Sequence, residues 1–153
     1  MTAKPDWFMI GSIFREDRLT RIAIAYFATL VIFLIVDFIW LSQVGPLLYR
    51  PVLGSILAPE PRMIPAVIFY GLYGIGLVYF AVHPALVDGQ WQTALVKGAL
   101  FGFFAYATYD LTNQATLSVW STKITVADMV WGAFVSGVAS TAGFLITRML
   151  VKA

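Results

Sequence analysis

The residues of this sequence that could do chemistry are few, and they stand at the ends of apolar runs. Asp110 closes the run "ALVKGALFGFFAYATYDL", with Tyr109 before it and Thr112 and Asn113 after it. Asp37 lies in "DFIWL" and Asp128 in "ITVADMVWG". Carboxyl groups flanked by tyrosine and asparagine can hold a cation or a polar head group, and in a partly dry site they can act as acid and base. Arg62, at the mouth of the second run, and Tyr73, roughly two to three turns inside it, fall in the same leaflet once the runs are arranged as helices. The candidate polar site is therefore Asp37, Asp110, Asn113, Asp128, Tyr73, Tyr109 and Arg62.

Much other chemistry is excluded. The chain has no cysteine and one histidine, which removes thiolate metal sites, disulfides and cysteine nucleophiles and weighs against a haem or a histidine-based metal cluster. There is no glycine-rich phosphate loop, no HExxH, no GxSxG and no basic patch for nucleic acid. The sequence assigns no cofactor and no metal.

The elements that must position these acids follow from composition. The 153 residues are 60% hydrophobic and 12% charged, against about 45–50% and 25% in soluble domains. So short a chain cannot bury that excess in a core of its own, so the solvent for most of its surface is lipid. A spanning helix needs about 20 mostly apolar residues. Four segments qualify: 22–41, 63–82, 92–111 and 126–151. The first residues do not read as a cleavable signal, since they lack an apolar stretch after a basic start, and the first run is expected to remain as a span.

Lysine and arginine set the orientation. With both termini on one side, that side holds Lys4, Arg15, Arg18, Arg21, Lys97, Arg148 and Lys152, seven bases, against Arg50, Arg62 and Lys123 on the other, three. Both termini are expected in the cytoplasm. Residues 1–21 read as a cytoplasmic interfacial segment, with Trp7, Ile10 and Phe14 on one helical face, and 22–153 as the transmembrane domain. "GPLLYRPVLGSIL", interrupted by Pro46, Pro51 and Gly54, reads as a short helix or re-entrant cover at the outer surface.

This arrangement brings the three acids to one leaflet. Asp128 has a structural explanation, because Thr125–x–x–Asp128 reads as a capping box and a first-turn carboxylate suits the helix dipole. Asp37 and Asp110 have none. Both lie near helix C-terminal ends, where the dipole opposes negative charge, and each needs a base, a proton or a bound cation. Arg50, Arg62 and Lys123 are the bases on that side. Trp40, Tyr49, Trp120 and Trp131 read as an outer aromatic belt and Trp91 as part of the inner one. His83 reads as interfacial. Gly98, Gly102 and Ala105, and Gly132, Ser136, Ser140, Gly143 and Thr147, form small-residue stripes on which helices can approach closely, within the bundle or at a dimer contact.

With these residues in place the chain resembles a bacterial family of small predicted four-span membrane proteins catalogued as a domain of unknown function. The resemblance rests on "DFIWL", "YRPVLG", "FYGLYGIGLVYFAVHPAL", "GALFGFFAYATYDLTNQATL" and "ITVADMVWG", and extends over about residues 26–143. It implies a bacterial cytoplasmic (inner) membrane location and no established activity.

The expected fold is thus an all-α membrane protein, a bundle of four transmembrane helices with an amphipathic N-terminal segment and an interfacial outer loop. Two functional readings lead. In one, an outer-leaflet carboxylate-rich site binds, or helps to modify, a lipid or small amphiphile. In the other, the chain is a structural or accessory subunit of a larger membrane complex and the acids form ion pairs. Membrane lipid is the expected partner, a homo-oligomer or larger membrane complex is compatible, and nucleic acid is not. Transport is less well suited, as four spans without an inverted repeat are few for a carrier.

Overall fold

In a computed structural model of the chain, the described residues are 6–151, with side-chain surroundings described from Asp17 onward. Among them every regular element is helical: α1 (Asp6–Val44), a π turn (Gly45–Tyr49), α2 (Arg50–Leu53), α3 (Met63–Leu77), a second π turn (Val78–Val82), α4 (His83–Asp88), α5 (Trp91–Thr116) and α6 (Thr122–Leu150). The side chains that define the expected amphipathic face at Trp7, Ile10 and Phe14 lie outside the described residues. Helix α1 runs without a break through position 21.

Proline explains both π turns. Pro84 has no N–H, and its ring displaces the carbonyl four residues before it. The neighbouring bonds lengthen their reach, and the His83 N–H bonds Val78 O, five residues back. Around Pro46 and Pro51 the Arg50 N–H likewise bonds Gly45 O. Neither proline ends its helix. The first span does not stop near position 41 as its apolar run suggests; it continues as one rod to Leu53. The "GPLLYRPVL" segment is its last turns rather than a separate re-entrant piece, with Leu53 buried and Leu47 fully turned outward.

Three rods, Asp17–Leu53, Met63–Asp88 and Thr122–Leu150, are long and apolar enough to cross a membrane. Helix α5, with 26 residues, spans about 39 Å at roughly 1.5 Å per residue. It is less apolar, carrying Lys97, Asp110 and several threonines. It is also the helix most closely packed on a neighbour, α6. Gly98 faces Ser136 and Ser140, and Gly102 faces Gly132 and Ser136. The α6 stripe of Gly132, Ser136, Ser140, Gly143 and Thr147 is wholly buried, against α5 on one side and Thr29 of α1 on the other. Small residues here serve contacts within the chain.

The rods run up and down. Arg21 near the start of the first donates to Leu86 O at 3.2 Å, and Arg148 near the end of α6 donates to Gly89 O at 2.9 Å. The beginning of α1, the α4–α5 turn and the end of α6 thus share one end of the bundle. Gly89 makes that turn possible with φ of 72°, a left-handed conformation that costs other residues about 1–2 kcal/mol. The opposite end holds Asp37, the first π turn, the start of α3 and the α5–α6 turn. The apolar core has Phe33, Tyr73, Leu77, Val135 and Ala139 toward that end, and Ala25, Val78, Val82, Ala85, Ala94 and Phe144 toward the other. Outside this core a surface of exposed Leu, Ile, Val and Phe faces outward all round, as lipid contact requires.

A methyl group at Gly98 would lie 2.5 Å from Ser140 Oγ and 2.7 Å from Ser136 O, whereas at Gly45 its nearest neighbour is 3.8 Å away. Gly98→Ala is therefore expected to destabilise by about 1–3 kcal/mol through overpacking, and Gly45→Ala to be neutral or slightly stabilising. Thermal unfolding in detergent compares them, and equal effects would contradict the close α5–α6 approach.

Candidate functional site

Asp37 is 5% exposed. Its two carboxyl oxygens receive hydrogen bonds from two other helices: Tyr70 Oη of α3 donates to Oδ2 at 2.8 Å, and Trp131 Nε1 of α6 donates to Oδ1 at 3.1 Å. One turn on, Trp40 stacks on Trp131 with ring centres 4.3 Å apart and planes 11° from parallel. The stack holds the Trp131 indole in line with Asp37. Trp40 Nε1 donates in turn to Tyr49 Oη at 2.9 Å, and Tyr49 Oη donates to Asp128 Oδ1.

Tyr49 reaches this chain because of the π turn. At roughly 100° per residue, nine residues of α-helix would put Tyr49 on the face opposite Trp40. The wider turn at Gly45–Tyr49 takes back part of that rotation, and the phenol swings in toward α6.

Asp128 is not a capping residue. Helix α6 begins at Thr122, and Ser121 is its N-cap, its hydroxyl accepting from the Ile124 N–H at 3.4 Å. The Thr125 hydroxyl accepts instead from Trp120 Nε1 at 3.0 Å. Asp128 is in the second turn, 7% exposed, and bonded by Tyr49. Asp110 is fully buried, and neither of its oxygens receives a hydrogen bond from an N–H or hydroxyl donor. A carboxyl so placed needs a proton or a bound cation. Among the described residues, the groups that bond Asp37 and Asp128 are Tyr70, Trp131 and Tyr49. No lysine or arginine is among them.

Beside this network lies a cavity of about 700 Å³, open toward the end of the bundle. Asp37, Asp128, Tyr70, Tyr106, Trp40 and Trp131 line it, together with Tyr49, Trp120, Leu53, Leu57 and the exposed Arg50. Tyr109 lines it as well. Asp110 is fully buried and is not part of the lining. Tyr73 is deeper in the core, paired with Ser136 Oγ at 2.8 Å. Asn113 is partly buried on the next turn after Asp110, beside Tyr109. Arg62 is exposed and is not part of the lining.

The family model described as Predicted membrane protein (DUF2177) matches residues 22–145. The chain belongs to this family. Asp37, Asp110, Asp128 and every aromatic residue that bonds them fall inside the DUF2177 match. No curated protein and no solved structure matches the chain.

Sequence reasoning does not select Tyr49, Tyr70, Tyr106, Trp40 or Trp131 as site residues. Trp40, Tyr49 and Trp131 read as an interfacial belt, yet their polar atoms point inward. For Tyr106 a signal exists. Gly98, Gly102, Tyr106 and Asp110 are each four apart, which carries the small-residue packing face straight on to Tyr106 and the acid. For Tyr49 there is none, because the π turn shifts its phase.

The Tyr49–Asp128 bond crosses from the first rod to α6, and removing one partner leaves a buried acid short of a donor. Tyr49→Phe is expected to destabilise by about 1–3 kcal/mol. In a double-mutant cycle with Asp128→Asn the two changes should couple by about 1 kcal/mol or more. Additive effects in detergent unfolding would show that the bond does not tie the two rods together.

Proposed function

We propose that this membrane protein of the DUF2177 family binds an amphiphile with an ammonium-bearing head group in its carboxylate and aromatic cavity. The observation that carries the reading is the 700 Å³ cavity with two buried carboxyls in its wall, bonded by phenol and indole rather than by bases. Acids without basic partners leave negative potential to attract a cation, and Trp and Tyr faces add cation–π attraction of about 0.5–2 kcal/mol. The exposed Arg50 in the lining suits the phosphate of a zwitterionic lipid whose amine meets the acids. The largely apolar remainder of the wall suits the adjoining part of the same molecule.

The seven-to-three distribution of bases supports both termini in the cytoplasm and the cavity in the outer leaflet of a bacterial inner membrane. Asp128, bonded by Tyr49 in the cavity wall, favours a second reading, in which the same site lends acid–base assistance to modification of the bound amphiphile. An accessory subunit with its acids in ion pairs has less support, since Arg62 and Lys123 do not line the cavity and no base bonds the three acids.

Titration of the detergent-solubilised protein with a short-chain phosphatidylethanolamine, followed by tryptophan fluorescence, tests the binding reading. Saturable binding is expected, weakened about tenfold or more by Asp37→Asn, as loss of a charge-assisted contact worth about 1.5–3 kcal/mol requires. A short-chain phosphatidylglycerol, which lacks the amine, should not produce the same signal. Equal responses to the two lipids, or an Asp37→Asn protein that binds as the wild type does, would overturn it.

A further inference from the structure

The other end of the bundle has a second lipid-shaped site of opposite charge. A cavity of about 500 Å³ at the end of the helices is lined by Arg18, Arg21, Ile22, His83, Leu86 and Val87. A second, of about 660 Å³, runs on from it between the first and second rods and shares Arg18, Ile22 and His83 with it. Its further walls are Tyr26, Ile75, Val78 and Tyr79, and it is nearly free of polar surface. Ile75 and Tyr79 are exposed along it, so the groove opens sideways where lipid would be. The sequence of surfaces is thus two guanidiniums and an imidazole at the bundle end, then an apolar channel toward its middle.

The groove is fixed by backbone features. Pro84 and the π turn at Val78–Val82 set the course of the second rod beside it. Tyr26 Oη donates to Gly71 O at 3.2 Å and closes its far part. Arg21 spends one nitrogen on Leu86 O, which holds the guanidinium at the rim with its other N–H groups available for a second acceptor. Among the described residues, the acids Asp17 and Asp88 line neither cavity.

We infer that this end binds an acidic glycerophospholipid, its phosphate between Arg18, Arg21 and His83 and one acyl chain along the groove between α1 and α3. Guanidinium groups take phosphate oxygens in paired, charge-assisted bonds, and basic pockets between spanning helices select negatively charged head groups. A zwitterionic lipid carries the same phosphate but brings an ammonium group toward the two arginines, so the net-negative lipid is preferred. The site rests on residues and a charge different from those of the acidic cavity, and it stands whether or not that cavity binds an amine.

The purified protein in nanodiscs of equal phosphatidylglycerol and phosphatidylcholine, released into a mass spectrometer, reads the preference directly. Phosphatidylglycerol should be enriched severalfold among the lipids that remain bound. In Arg18→Gln and His83→Gln proteins the enrichment should fall, by about fivefold for removal of the arginine. Thermal unfolding checks that the exposed Arg18 is not needed for the fold. Retention of both lipids in their nanodisc ratio by the wild type would overturn the inference, and so would unchanged enrichment in a folded Arg18→Gln, His83→Gln double variant.

Discussion

Three carboxyl groups are buried at one end of a helix bundle with no base bonded to them, and the local structure follows from that constraint. A buried carboxyl must be given donors or a proton. Asp37 takes its donors from Tyr70 and Trp131, Asp128 takes one from Tyr49, and Asp110 is left without a hydrogen-bond partner among the described residues. Each donor comes from a helix other than that of the acid it serves. Satisfying the acids therefore connects the first rod to α3 and to α6. The stacked Trp40 and Trp131 rings set the angle of one donor and supply the other indole bond, to Tyr49.

Elsewhere the bundle is held by closeness of approach. Lipid gives no hydrophobic push between helices, so association depends on packing and on polar contacts. The α5–α6 pair shows this in one line of residues: Gly98 and Gly102 admit Ser136 and Ser140, and one and two turns further the same face of α5 presents Tyr106 and Asp110. Packing and polar site are consecutive parts of one stripe. This explains why α5 is the least apolar of the four long rods. Much of its polar and small surface meets α6 and not lipid.

The fold was largely legible in the sequence because the signal for it is long. Twenty apolar residues identify a span regardless of detail, and stripes of glycine and serine mark the faces that meet. The ends of elements were less legible. The apolar run of the first span fades near position 41, but the helix continues to Leu53, since Pro46 and Pro51 are absorbed by a π turn rather than ending it. That turn also hides Tyr49, whose inward position no regular periodicity gives. Thr125 and Asp128 have the spacing of a capping box, yet Ser121, four residues before Thr125, forms the cap. The acids themselves were legible because acids are rare in such a chain. Their partners were not, because tyrosine and tryptophan near a membrane surface serve the interface just as often, and only the direction of Nε1 or Oη separates the two uses.

The carboxyls and their aromatic partners gather at one end of the bundle, and the account depends most on no base among the described residues being bonded to them. Its central claim is that Asp110, fully buried with no hydrogen-bond partner among the described residues, carries a proton in place of pairing with a base. Infrared spectroscopy of the reconstituted protein at neutral pH reads this directly, because a protonated carboxyl and a carboxylate absorb at separate frequencies. The account predicts a protonated-carboxyl carbonyl band in the wild type that disappears in Asp110→Asn. Absence of any such band in the wild type, or a band that survives in Asp110→Asn, would contradict it.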